Sequence, residues 1–152
     1  MLFTSGVDVG SVQSAVRSLG GELGHAARGR YAAIFAGEAG QDPVRRAFRA
    51  AQGLAERGVA SRALVDLGAV NAQRRPDGSI RYISPDLGRE SRYAQDSDPA
   101  GPLATPAAAD VLAEIAWEAV PGRAGIFAPR RDASERLQAA TEIGRASCRE
   151  RV

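Results

Sequence analysis

An Asp-Pro pair at residues 42 and 43 constrains the fold of this chain more than any other feature. Asp42 reads as a helix N-cap and Pro43 as N1, where the missing N–H costs nothing and the fixed φ suits a first turn. Behind this start Val44, Ala47, Phe48, Ala51, Leu54 and Ala55 recur three or four residues apart. Arg45, Arg46, Arg49, Glu56 and Arg57 lie mostly off that stripe, and Gly58 ends it. A helix with one apolar stripe needs an apolar surface to lie on. The strand-length runs at residues 31–35 and 61–70 flank it and supply one, so the segment reads as strand, helix, strand. The arginines are read as the solvated outer face of this helix, not as a phosphate site.

The rest of the chain extends that pattern. Leu2, Phe3 and Thr4 begin a first strand, and Asp8 caps a helix whose apolar residues Val9, Val12, Val16 and Leu19 share one face up to Gly20. Residues 20–35, GGELGHAARGRYAAIF, read as a β-hairpin turning at Ala-Arg-Gly-Arg, with Gly29 taking the positive φ. Pro76-Asp77-Gly78 is turn chemistry, after which Ile80, Tyr82 and Ile83 return as a strand. Pro85 and Asp86 open a polar helical stretch to about Gln95. Leu103 and Ala104 make a short strand, Thr105-Pro106 starts a helix that runs to about Trp117, and residues 124–128 form a final strand. Alternating strands and amphipathic helices give an α/β or α+β class, with helices against one sheet. A ferredoxin-like core, mainly antiparallel, satisfies this order.

Composition excludes several functions. The formal charge is +2, with acids and bases interspersed, so no basic face for nucleic acid is expected. No apolar run approaches the roughly 20 residues of a membrane helix, and the start of the chain lacks a signal-peptide layout, so a cytoplasmic location is expected. All 20 basic residues are Arg, which points to a GC-rich bacterial genome. Residues 142–152, EIGRASCRERV, match a translated sequencing adapter and are set apart from a domain at residues 1–141, itself read as a fragment truncated at both ends. The one cysteine, Cys148, falls in that segment, so neither disulfide nor thiol chemistry is expected. His25, the one histidine, has no acid or cysteine at ligand spacing and reads as structural. Trp117 reads as an anchor at the edge of the core. Asp66 is the acid expected to be partly buried, within a strand and paired with Arg62.

Four pieces, taken in order, resemble the class III adenylate and guanylate cyclase homology domain. Gly20-Gly21-Glu22 and the following hairpin ending in Ala33-Ile34-Phe35 are similar to that family's glycine pair, strand, turn and strand. RALVDLGAV at residues 62–70 resembles its glycine-containing strand, GRESRY at 88–93 its Asn/Arg helix, and PAGPLAT at 99–105 the segment before a later helix. The resemblance implies a cyclase-type, ferredoxin-like core. It also implies two acids holding two divalent ions, an Asn and an Arg at the ribose and phosphate, and a Lys and an acid reading the purine.

At those positions this chain carries other residues. Ser5 and Gly29 stand at the two metal acids, with Asp8 the nearest acid to the first, and Arg28 and Arg30 flank Gly29. His25 stands at the purine-reading Lys, Arg81 at the purine-reading acid, and Gly88 at the Asn. Arg92 alone matches a catalytic position. The nucleotide-site positions His25, Gly29, Arg81 and Gly88 are therefore degenerate, Arg92 is the one catalytic candidate, and no metal ligand is identified. The resemblance thus implies a non-catalytic regulatory or dimerisation module within a larger bacterial signalling protein linked to a kinase or ATPase. Its expected partners are a homologous domain or other domains of the same polypeptide, without nucleic acid or membrane insertion, and no cofactor is implied. Two alternatives stand beside it: an active cyclase converting ATP or GTP with Mg²⁺ or Mn²⁺, and an unrelated α/β binding module.

Overall fold

The computed structural model describes residues 1–6, 8–37 and 42–131. The segment set apart at 142–152 and the end of the domain at 132–141 lie outside the described residues. In chain order the elements are β1 (Leu2–Ser5), α1 (Val9–Arg17), β2 (Glu22–Ala27), β3 (Arg30–Ile34), α2 (Pro43–Glu56), β4 (Arg62–Val65), β5 (Asn71–Arg74), β6 (Ile80–Ile83), a single 3₁₀ turn (Glu90–Arg92), β7 (Gly101–Ala104), α3 (Pro106–Val111), β8 (Trp117–Ala119) and β9 (Phe127–Pro129). The fold is mixed α/β. Seven strands form one sheet in the order β2-β3-β1-β4-β7-β9-β8, while β5 and β6 pair separately. Neighbours in the large sheet run antiparallel except β4 and β7, which are parallel. The first four strands and two helices follow the ββ-split order of a ferredoxin-like β-α-β-β-α-β unit.

Strand alternation explains why these strands are apolar at nearly every position. Leu2, Tyr31, Ala33, Ala63, Val65 and Ala104 join one core with Val12 and Val16 of α1 and Val44, Ala47, Phe48, Ala51 and Leu54 of α2. Their neighbours in sequence, Phe3, Ala32, Ile34, Leu64 and Leu103, point to the opposite face and join a second core. Successive side chains leave a strand on opposite faces, so a sheet covered on both sides needs apolar residues throughout. The cover of the second face is not helical. Leu87 and Tyr93 lie on it, the Tyr93 ring meeting Phe3 edge-on at 5.3 Å, and Val120 and Ile126 complete it.

The caps of α1 and α2 are those read from the sequence, whereas Thr105, before Pro106 of α3, makes no side-chain capping bond. Asp8 accepts from the N–H groups of Gly10 and Ser11, and Asp42 from those of Val44 and Arg45 with Pro43 at N1. Gly20 and Gly58, just past α1 and α2, take φ of 75° and 66°.

Other expectations need correction. Val9 is 46% exposed, because α1 begins there and the buried stripe starts at Val12. The strand expected over 61–70 stops at Val65, and β6 pairs with Asn71–Arg74 instead of returning along it. The stretch expected to be helical from Asp86 to Gln95 forms turns and the one 3₁₀ turn. The helix expected to reach Trp117 ends at Val111, Trp117 opens β8, and the final strand is shifted to Phe127–Pro129. Trp117 keeps its anchoring place, edge-on to Phe48 at 5.8 Å with its indole N–H donating to the Leu112 carbonyl at 3.2 Å.

Candidate functional site

Parallel pairing of β4 with β7 places Val65 opposite Ala104, so the next residues, Asp66 and Thr105, leave the sheet side by side. The backbone confirms the register: Thr105 N–H donates to the Val65 carbonyl at 3.1 Å, and Asp66 N–H to the Met1 carbonyl at 2.9 Å. The Asp66 side chain is 6% exposed. Its Oδ1 accepts from the Thr105 hydroxyl at 2.6 Å and the Leu67 N–H at 2.8 Å, and its Oδ2 from Arg92 Nη1 at 3.0 Å. Arg92 Nε also faces Asp86 Oδ1 at 3.4 Å. A buried carboxylate is tolerable on these terms, with both oxygens hydrogen-bonded and a guanidinium opposite. The catalytic candidate Arg92 is therefore engaged on the protein itself, fastening the second-face cover to the ends of β4 and β7. The pairing of Asp66 with Arg62 is corrected: Arg62 Nε donates to the Asp98 carbonyl at 2.6 Å.

At the other end of β1, Ser5 lies opposite Arg30 of β3, and Gly6 N–H donates to the Gly29 carbonyl at 3.1 Å. The positions of Ser5 and Gly29 are thus neighbours in space. The hairpin closes through Arg28 and Gly29, both at positive φ (52° and 73°), the two-residue turn whose twist suits flanking strands. Beside it opens a polar cleft of about 550 Å³ lined by Ser5, Arg30, Glu90, Tyr93 and Asp96 among others. Arg30 Nη1 donates to Glu90 Oε1 at 2.6 Å, and Arg30 Cζ lies 5.8 Å from the Tyr93 ring centre. That hydrogen bond and the Arg30 charge hold the Glu90 carboxyl below its usual range. Among the described residues no group of three or more His, Cys, Asp or Glu is placed to hold a metal ion.

The remaining predicted positions fall elsewhere, and three of them converge. His25, Arg81 and Gly88 line one cleft of about 330 Å³ between β2 and the β5–β6 hairpin. β2 is bulged between Leu23 and His25, which turns His25 off the regular register. A Cβ on the intervening Gly24 would press on Ile34 Cγ1 of β3 at 3.0 Å and meet Tyr82 Cβ of the hairpin at an ordinary 3.5 Å. The Tyr82 hydroxyl donates to Glu22 Oε2 at 2.8 Å, and burial, then that bond, pushes the phenol up to about 12. Gly29 and Arg92 lie outside this cleft.

Sequence reasoning missed two things here. One is the Asp66–Thr105–Arg92 cluster, whose signal was an acid at the end of an apolar strand. The other is Arg75, which joins Arg81 in the His25 cleft and gives no signal beyond its place before a turn. Fold and site together define a mixed α/β protein with a ferredoxin-like half and an irregular excursion covering its second face. Comparison with protein-family models and with curated proteins returns no match.

Proposed function

We propose that this chain is a non-catalytic, cyclase-like regulatory or dimerisation module of a larger bacterial signalling protein, working in the cytoplasm. The observation that carries this reading is the juncture of β1 with the β2–β3 turn. Ser5-Gly6 and Gly29 meet there through a backbone hydrogen bond, and the side chains that flank them are Arg28 and Arg30. Two neighbouring acids at such a place would gather divalent cations, whereas a serine and a glycine supply no carboxylate and the guanidinium groups beside them add positive charge. The engagement of Arg92 by Asp66 and Asp86 supports the same reading, since a guanidinium fastening a fold is not free for a phosphate. No helix of the described residues is long and apolar enough to cross a membrane.

The test is an assay of the purified chain with ATP or GTP and Mn²⁺, alone and with a homologous domain from the same polypeptide. No cyclic nucleotide is expected from the chain alone. Product that disappears on Arg92→Ala in a variant that still folds would overturn the proposal in favour of an active cyclase. Sedimentation over a concentration series addresses the dimerisation half, which fails if neither self-association nor association with the homologous domain occurs.

A further inference from the structure

We propose that the cleft between β2 and the β5–β6 hairpin binds a small phosphate monoester, its phosphoryl group held by Arg75 and Arg81 beside His25. The first ground is charge. The lining residues include two arginines and the histidine and no acid. Five other described arginines are matched to acids: Arg30 to Glu90, Arg45 to Asp42 and Glu114, Arg89 to Asp86, Arg92 to Asp66 and Asp86, and Arg123 to Asp98. Arg17, Arg28, Arg49, Arg57 and Arg74 form no ion pair among the described residues and do not share a cleft with a second cation as Arg75 and Arg81 do. Neither Arg75 nor Arg81 forms an ion pair among the described residues.

The acids nearest in sequence are already engaged. Glu22 accepts from Tyr82, Asp86 faces Arg89 and Arg92, and Asp77 Oδ1 accepts from the Ser79 N–H and hydroxyl at 2.9 and 2.6 Å. Arg75 adds a smaller, through-space influence on Asp77, which the Ser79 hydrogen bonds chiefly hold below its usual range. Two cations facing one cleft with their neighbouring acids spoken for repel each other unless an anion lies between them.

The second ground is shape. The hairpin lies against β2 with Tyr82 Cβ in ordinary contact distance of Gly24, and the bulge of β2 beside it fixes His25 at the edge of the cleft. The volume, about 330 Å³, exceeds what a bare phosphate fills and lies at the small end of ligand sites. Tyr82, Ile83 and Leu87 wall the remainder and suit an apolar or aromatic body. The phosphoryl group is favoured over a carboxylate because one guanidinium fork satisfies a carboxylate, whereas a phosphate presents three oxygens and nearly two charges to two forks. This inference stands apart from the regulatory reading, since an assembly module with an empty cleft, or an isolated domain with a filled one, would separate them.

The experiment is an NMR titration of the ¹⁵N-labelled full chain, at constant ionic strength, with phenyl phosphate, inorganic phosphate and benzoate. Saturable shifts are expected at His25, Arg75, Arg81 and Tyr82, with phenyl phosphate binding tightest and benzoate weakest. Arg75→Gln and Arg81→Gln are each expected to weaken phenyl phosphate about tenfold, as loss of a charged fork should, while the rest of the spectrum is unchanged. Arg17→Gln, on the exposed face of α1, leaves binding as it was. Shifts that stay linear, benzoate binding as tightly as phenyl phosphate, or affinity that survives Arg81→Gln would each overturn the proposal.

Discussion

Whether Arg92 is a fastening or a free surface cation is decided by breaking its partner. In Asp66→Ala three donors lose their acceptor: the buried Thr105 hydroxyl, the Leu67 N–H and Arg92 Nη1. The Leu67 N–H belongs to an exposed residue and finds water, and Arg92, one-third exposed, keeps Asp86. Removing one partner of a fully buried ion pair costs about 3–5 kcal/mol, and partial exposure of Arg92 places this pair at the lower end. The stranded Thr105 hydroxyl adds about 1 kcal/mol, so the expected loss is about 3–4 kcal/mol. Arg92→Leu leaves the buried Asp66 carboxylate with only a hydroxyl and an amide, for about 2–3 kcal/mol. Urea unfolding followed by circular dichroism reads both, and the double variant should lose about 1–2 kcal/mol less than the sum of the singles. With a slope near 2 kcal/mol/M, Asp66→Ala should lower the midpoint by roughly 1.5–2 M. Single variants within about 0.5 kcal/mol of the parent, or strictly additive losses, would refute the fastening and return Arg92 to the surface.

Three further outcomes follow from the same structure. Arg28 holds φ at 52° in the hairpin turn, so Arg28→Asn should stabilise by about 0.5–1 kcal/mol, raising Tm by roughly 2–4 °C in calorimetry; an unchanged or lower Tm counts against the strained turn. Asp98 is wholly buried, with Oδ1 accepting from Arg123 Nε at 2.9 Å and Oδ2 from the Gln95 N–H at 2.8 Å; Asp98→Ala should cost about 3–5 kcal/mol in urea unfolding, and a neutral result would remove this fastening of the 95–98 loop to the turn before Ile126. The Tyr82 phenol is raised from 10.0 to about 12, so the folded state prefers its protonated form, and the stability this contributes is full below pH 10 and lost as pH rises toward 12. Phenolate absorbance should show a titration near that upper value that Tyr82→Phe removes, and its persistence in the variant would show that another group produced it.

What the sequence revealed was what is decided locally. The Asp8 and Asp42 caps, the glycines after α1 and α2 and the Arg28-Gly29 turn act within a few residues, and each stands where the pattern put it. The alternation of apolar strand-length runs with amphipathic helices likewise gave the mixed α/β class, and the strands read as continuous apolar runs because both of their faces are buried. The misses have a common cause in tertiary contacts that override local preference. Leu87 and Tyr93 are six residues apart, and a helix would set them about 120° apart around its axis, whereas the irregular path lets both lie on one sheet face. Likewise the helix from Pro106 stops when Trp117 turns back to cover Phe48 and bond the Leu112 carbonyl. In the candidate site, the meeting of His25, Arg81 and Gly88 was implied only by the family resemblance, whereas Asp66 with Arg92 depended on a parallel register that no local pattern encodes.

That parallel register also explains where function would reside. Antiparallel neighbours are joined by a tight turn, but β4 and β7 run parallel, so the chain between them must travel back across the sheet. A helix is the usual carrier, and its backbone satisfies itself. Here the connection from Asp66 to Ala100 is a hairpin, turns and one 3₁₀ turn, which satisfies its backbone partly through its own turn and ladder bonds and partly through side chains. Asp66, Asp77 and Asp98 accept from the backbone N–H groups of Leu67, Ser79 and Gln95 in turn, and Asp86 pairs with the Arg92 side chain. An irregular connection fits the sheet less evenly than a helix does. Accordingly, the polar cleft at Glu90, the cleft at Arg75 and Arg81 and the groove beside Arg92 all lie along its margin. The same acids that make the excursion possible hold Arg89, Arg92 and Arg123 in place, whereas Arg75 and Arg81, which share the cleft beside His25, form no ion pair among the described residues.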